Sequence, residues 1–321
     1  MRVDFKVTPD AAGQRLDKFL RKRLDNLPLS HLYKLVRTKK VRVNGARAEI
    51  AQLLQPGDEI TVHVLQAAQP PPPKPAQAVR QDFEVLYEDE HILAVDKPAG
   101  LAIHAGTGIK GETLVDQARA YLARQGLTVA EGEFKPSPAH RLDRETSGVV
   151  VVAKTRKAMV RLTEIFTAGE ANKVYLALAK GRFQREQGSV ELRLAEHQQT
   201  QTSRQERGVN MQTAVTHWKK LAGGAEATLL ELTIETGRTH QIRRHLEAIG
   251  HPVVGDTRYG DFPFNRIAQR QWGLRRMFLH SSRLSLPHPL TKKRLALHAP
   301  LPQDLAESLP RAGIQWKTQE S

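Results

Sequence analysis

The stretch His140-Arg141-Leu142-Asp143-Arg144-Glu145-Thr146-Ser147-Gly148 runs directly into Val149-Val150-Val151-Val152-Ala153-Lys154. Residues 148 to 154, GVVVVAK, are β-branched without a polar alternation, which predicts a strand buried on both faces. Such a strand lies inside a sheet and needs cover on either side. The polar run before it then reads as a turn at the mouth of the strand, with Asp143 held between two arginines. Neighbouring guanidinium groups favour the charged form of a carboxylate. On residue types alone, Asp143 is either a permanently ionised nucleophile or base, or one half of a loop ion pair.

Outward from this strand, Ala158, Met159, Leu162, Ile165 and Phe166 mark one face of a helix. Lys173 to Ala179 alternates, with Val174, Leu176 and Leu178 facing one way and Tyr175 and Ala177 the other. Thr228 to Thr236 is a further strand. Gly237-Arg238-Thr239 follows it, then a helix with Ile242, Leu246 and Ile249 on one side and Gly250 at its end. Upstream, FEVLYEDEHILAVDKPAG (83 to 100) reads as two strands joined by an acidic turn, broken at Lys97-Pro98-Ala99-Gly100. Strands and helices mix without regular alternation, which predicts an α+β fold rather than a doubly wound one. Residues 185 to 213 are polar and Gln-rich, either a hairpin that grips a ligand or a loop. Residues 302 to 321 carry no motif, and a frayed tail is expected there.

The clearest boundary is QAAQPPPPKPAQAVR, residues 66 to 80. Four consecutive prolines lack amide donors and favour stiff polyproline II, so this run is expected to be a linker. It separates residues 1–65 from a larger domain, 81–321. In the first piece, Leu16, Phe19, Leu20 and Leu24 fall at helical spacing. A second helix is expected from Ser30 as its N-cap, with Leu32, Leu35 and Val36 inward. Val41-Arg42-Val43 runs into Asn44-Gly45, a tight-turn signal. Pro56-Gly57-Asp58 makes another turn before Ile60-Thr61-Val62.

The chain has 321 residues and a formal net charge of +15. That balance favours a polyanionic partner, because each Lys or Arg that neutralises a phosphate releases condensed counterions. An anionic membrane would attract it too, but no apolar run approaches the roughly 20 residues that span a bilayer. The start, MRVDFKVTPD, lacks the apolar stretch of a signal peptide, so cytoplasm is the default expectation. The absence of cysteine excludes disulfides, thiolate metal sites and thiol catalysis. GTGIKGET (106 to 113) has the glycine spacing of a phosphate loop, but Glu112 stands where its lysine would be. His240 and His245 are five apart on a helix, which is not the one-face spacing of a metal pair.

Two resemblances cover nearly the whole chain. RLDKFL (15 to 20), LVRTKKVRVNG (35 to 45) and PGDEI (56 to 60) resemble the S-four-type RNA-binding domain. Residues 1 to 65 hold 13 Lys and Arg against 7 Asp and Glu, a net +6. The cations gather around the second helix and the following strand. The resemblance implies that Lys34, Arg37, Lys39, Lys40 and Arg42 face phosphates.

HRLDRETSG, with KPAGLAIHAG (97 to 106), KVYLAL (173 to 178), GRTHQIRRH (237 to 245) and MFLHSS (277 to 282), resembles the RluA family of pseudouridine synthases. The order of these motifs, with RYGDFPFN (258 to 265), is most similar to the branch that modifies bacterial large-subunit ribosomal RNA. The resemblance implies a mixed, largely antiparallel sheet domain, acting on RNA as a monomer, without cofactor or metal. It makes Asp143 the essential aspartate and Arg238 the partner that holds it charged. Tyr175 becomes the tyrosine that stacks on the base and takes its proton after reattachment. Arg141 is implied as the side chain that fills the gap left by the flipped base, Leu279 as an apolar pocket residue, and Lys97 as an RNA contact. Arg243 and Arg244 are weaker RNA candidates, since a solvated helix face is their commoner meaning. Transfer RNA is the alternative substrate, and a noncatalytic ribosome-assembly factor is the alternative class.

Overall fold

A computed structural model describes residues 2–24, 29–63, 79–106, 111–130, 133–195 and 211–316. The chain divides into two compact units, residues 1–79 with 125–135, and residues 80–124 with 136–321. Most of the proline-rich stretch lies outside the described residues.

The first unit carries β1 (Arg2–Lys6), α1 (Leu16–Arg23), α2 (Leu29–Arg37), β2 (Val41–Val43), β3 (Ala46–Arg47) and β4 (Glu59–His63). Its four-stranded sheet has the order β1-β4-β2-β3. Leu16, Phe19 and Leu20 of α1 and Leu32, Leu35 and Val36 of α2 bury their stripe against Val41, Val43, Ile60 and Val62. Asn44 and Gly45 both take positive φ, 51° and 75°, as a tight hairpin turn requires. The sequence reading passed over β1, whose short alternation Val3-Phe5 pairs in register with β4. The expected cap, Ser30, has a side chain that lies outside the described residues.

The second unit holds β5 (Glu84–Glu88), β6 (Ile92–Lys97), α3 (Leu114–Arg124), β7 (Ser137–Pro138), β8 (Ser147–Ala153), α4 (Arg156–Thr167) and β9 (Asn172–Lys180). It continues with β10 (Gln187–Ala195), β11 (Met211–Gly223), β12 (Ala227–Ile234), α5 (Gln241–Ala248), α6 (Phe262–Trp272), β13 (Leu279–Pro287), β14 (Arg294–His298), α7 (Gln303–Ala306) and α8 (Ser308–Arg311). One sheet runs β10-β11-β12-β9-β13-β8-β6-β5, with β14 on β13 and β7 on β8. All its pairings are antiparallel except β13 with β8, so the sheet is mixed and largely antiparallel.

Every residue of β8 is buried, as its unbroken valines require. Gly148 is indispensable at the parallel contact. It has φ 117°, and a Cβ there would lie 2.2 Å from the Ser281 carbonyl oxygen. β9 is covered on both faces, so its alternation separates two packed layers rather than core from solvent. Ile249 is exposed, because α5 ends before it and Gly250 turns the chain away. The expected frayed tail is corrected as far as Trp316. Leu305, Leu309 and Ile314 are buried against Phe264, Trp272 and Phe278, and this apolar triplet fastens the segment. Residues 185–213 begin a β10–β11 hairpin whose connecting residues lie outside the described set.

The burial of polar groups in this unit predicts how its stability varies with pH. Burial pulls His140, His245 and His280 down to about 4, with Lys173 and Arg244 adding to the effect at the first two. The unfolded chain, with ordinary histidines, therefore binds more protons between about pH 4 and 6.5. Asp96, pushed up to about 6 by burial and by Glu84, works in the opposite sense. The net difference is about two protons near pH 5, so stability present above pH 6.5 is lost as the pH falls. The thermal midpoint should drop markedly between pH 7 and 4.5. A flat profile would contradict the burial of these rings.

Candidate active site

The turn carrying Asp143 is fixed from both sides. His140 Nε2 accepts the Val151 amide at 3.0 Å, and Thr146 N donates to Asp143 O at 3.1 Å. Arg144 exchanges bonds with the loop after β6: its carbonyl accepts the Gly100 amide at 2.8 Å, and its Nε donates to Gly100 O at 3.0 Å. Lys97 completes this tie. Its ammonium is fully buried and donates to the carbonyls of Pro98 (2.8 Å), Leu101 (2.9 Å) and Arg144 (3.1 Å). The expectation that Lys97 contacts RNA is thus corrected: all three of its donors serve the backbone beneath the Asp143 turn. Burial draws its pKa down to about 7, against the opposing pull of Glu145 and Asp143.

Across from this turn, Gln241 anchors the start of α5. Its Oε1 accepts from Thr236 Oγ1 and Arg238 N, and its Nε2 donates to Val215 O at 2.9 Å. His240 enters the helix in the left-handed region, with φ 54°. The next turn aims Arg243 inward, and Nη1 of Arg243 donates to Asp143 Oδ2 at 3.0 Å. The same guanidinium forks onto Asp256, Nε to Oδ2 at 2.6 Å and Nη2 to Oδ1 at 2.9 Å. Asp256 is fully buried and also accepts the amides of Arg258 and Tyr259. Burial alone would raise its pKa, but the Arg243 bonds and the two amides carry it below the ordinary value.

The partner of Asp143 is therefore Arg243, not Arg238 as the sequence had suggested. Arg238 lines the same pocket, but its Nη2 hydrogen-bonds Gln212 of β11. Nor is Arg243 on a solvated face; it is buried beside Ile242 and Leu246. Two signals were available: a guanidinium on the buried stripe of a helix, and Asp256 enclosed by Gly255 and Gly260. At Gly260 a Cβ would lie 2.1 Å from the Asp256 carbonyl oxygen, so only glycine closes that turn.

One pocket collects Arg141, Leu142, Asp143, Thr146, Tyr175, Ile234, Arg238, His240, Arg243 and Leu279. Tyr175 and Leu279 come from the adjacent strands β9 and β13 and are nearly buried. Burial raises the phenol well above its usual range, so Tyr175 is a neutral hydroxyl at working pH. His240 forms a further wall. Its Nδ1 bonds Tyr259 OH at 3.0 Å, and its Nε2 lies 3.8 Å from Asp143 Oδ1. Burial lowers its pKa, assisted by Arg243 and Arg258 against Asp143. Arg141 is exposed at the rim. With Oδ2 committed to Arg243, Oδ1 is the oxygen free to meet an electrophile.

Of the other expected contacts, Lys34, Arg37, Lys39 and Arg42 are exposed in the first unit and Lys40 is half-buried. Lys34 and Arg37 line a concavity with Tyr33, Arg47 and Ile50. No helix among the described residues is long and apolar enough to cross a membrane.

Comparison with known proteins bears on this arrangement. Residues 91–248 match the family model described as RNA pseudouridylate synthase, and residues 14–60 match the S4 domain. The chain is 35% identical to the ribosomal large subunit pseudouridine synthase C of Vibrio cholerae over 311 residues, covering 95% of each chain. It is also 35% identical to the protein of that name from Escherichia coli, again over 95% of each. Among solved structures, human RNA pseudouridylate synthase domain containing 4 matches with a TM-score of 0.57 and 26% identity, over 72% of this chain and 94% of that one. A carboxylate clamped by a buried guanidinium, an apolar pocket wall and an S4 match are all consistent with these relatives, and the chain belongs to the RNA pseudouridine synthase family.

Proposed function

We propose that this protein converts uridines of large-subunit ribosomal RNA to pseudouridine, acting as a cytoplasmic monomer, with Asp143 as the catalytic carboxylate. The observation that carries the reading is the Asp143 carboxylate, which lines the pocket with one oxygen bonded to a buried guanidinium and the other 3.8 Å from His240. The substrate class is supported by the relatives' names and by the basic S4 domain at the N-terminus.

A stacked base cannot reach such a pocket, so the target nucleotide is extruded from its helix. Oδ1 of Asp143 then acts at the ribose, either attacking C1′ or promoting loss of the C2′ proton. Either path breaks the C1′–N1 bond and frees the uracil. The base turns within the pocket and C1′–C5 forms, either as the bond from C1′ to Asp143 breaks or as C2′ takes its proton back; the C5 proton then leaves and N1 gains a proton. Atoms and electrons balance without redox or group transfer. A fixed carboxylate suits the cationic character of the sugar, by the same logic that places carboxylates in glycosidases. Tyr175 and Leu279, side by side on one face of the sheet, form the wall against which the uracil rests during rotation. Since burial keeps the phenol protonated, Tyr175 acts first as a surface and a neutral hydrogen-bond group. Arg141, at the rim, occupies the space the base vacates.

Ribosomal RNA from cells lacking the protein should show uridine at positions that read as pseudouridine in the parent strain. Restoring the gene should restore them, and restoring the Asp143→Asn form should not. Unchanged ribosomal RNA with missing pseudouridines in transfer RNA would move the substrate and keep the chemistry. Loss of none in either would favour an assembly factor.

A further inference from the structure

The segment that encloses Asp256 continues into α6, and the outer face of this helix has an unusual composition. Phe262 and Ile267 are 51% and 40% exposed, and Arg266 and Arg270 stand on the solvent side with them. Phe262, Arg266 and Arg270 are four apart and so lie along one face. Arg258 precedes the helix and Arg275 follows it, both exposed. The only carboxylate between residues 257 and 275 is Asp261, which caps Phe264 N and pairs with Lys180. Among the described residues, Arg266, Arg270 and Arg275 make no hydrogen bond or ion pair. A purely solvating face would mix acidic with basic groups and would not display a phenyl ring.

The ridge is continuous with the pocket. Tyr259, two residues before the Asp261 cap, holds His240, which stands against Asp143. Along the chain the segment runs from Tyr259, bonded to the pocket residue His240, through the Asp261 cap to Phe262, Arg266 and Arg270. We propose that the outer face of α6 binds the substrate RNA strand that flanks the extruded nucleotide, with Arg266 and Arg270 on phosphates and Phe262 under a base. This rests on the functional reading above and adds a second RNA surface, on the catalytic unit itself. Charge complementarity and continuity with the pocket favour RNA over other occupants. An exposed phenyl ring beside guanidinium groups is the combination that binds single strands without reading sequence.

The test is equilibrium binding of the full-length protein to a ribosomal RNA fragment across a salt series. For Arg266→Gln with Arg270→Gln, the slope of log affinity against log salt should become shallower by about 1 to 2. Phe262→Ala should weaken binding about tenfold and leave the slope intact, since stacking releases no counterions. All three positions are exposed, and circular dichroism checks that the variants are folded. Slopes and affinities matching the unsubstituted protein would overturn the proposal. So would variants that bind RNA normally but lose binding to vesicles of anionic lipid, or lose a ribosomal protein partner. The slopes remain measurable even if the protein makes no pseudouridine, so this idea and the functional reading fail separately.

Discussion

With asparagine in place of Asp143, the protein is expected to bind RNA normally and to make no pseudouridine, a loss of about 10⁴-fold or more in rate. The side-chain amide keeps the shape of the carboxylate, and its oxygen can still accept from Arg243 Nη1. It lacks the negative charge that must face the ribose. Release of tritium from C5-labelled uridine reports the reaction directly, because the C5 proton leaves only when the new carbon bond forms. Single-turnover assays with excess enzyme separate this from any effect on binding. Substantial tritium release from Asp143→Asn would remove the carboxylate from the mechanism.

Replacing Arg243 by methionine should damage both stability and chemistry. One guanidinium satisfies two carboxylates, and Asp256 is wholly buried. Removing one partner of a buried ion pair leaves an uncompensated charge, which costs roughly 3–5 kcal/mol. The rate should fall by about 10²–10³-fold as well, because Asp143 loses the group that aims it. The two effects can be separated. Adding Asp256→Asn to Arg243→Met removes the stranded charge, so urea stability should partly return while activity stays low. If Arg238→Met instead proved the more harmful substitution, the assignment of the clamp to Arg243 would be wrong.

What the sequence revealed, and what it concealed, follows from the range of the interactions. β8 and α4 were legible because their patterns are local: unbroken valines for one, a helical stripe for the other. Asp143 stood out because its motif is contiguous. Its partner did not, since Arg243 lies 100 residues away and shares its motif, GRTHQIRRH, with Arg238 and Arg244, while Arg141 and Arg144 flank Asp143 directly. Choosing among arginines requires the direction in which α5 points, and that is set by Gln241 reaching β11. Lys97 misled for the opposite reason. A lysine beside a Pro-Ala-Gly turn reads as an exposed cation, yet three carbonyls converge on it and burial becomes affordable only through them. β1 escaped notice because five residues of weak alternation become a strand only with β4 beside them.

Strand β13 lies between β9 and β8, although both precede it by more than a hundred residues. During synthesis, two separate half-sheets must therefore wait, each with an unpaired edge, until the chain near residue 287 has left the ribosomal exit tunnel. Leu279 arrives with that strand, so the wall for the uracil is the last part to be built. A nascent chain would own the Asp143 carboxylate without a complete place to hold the base, and catalytic competence would come only once β13 has emerged and paired.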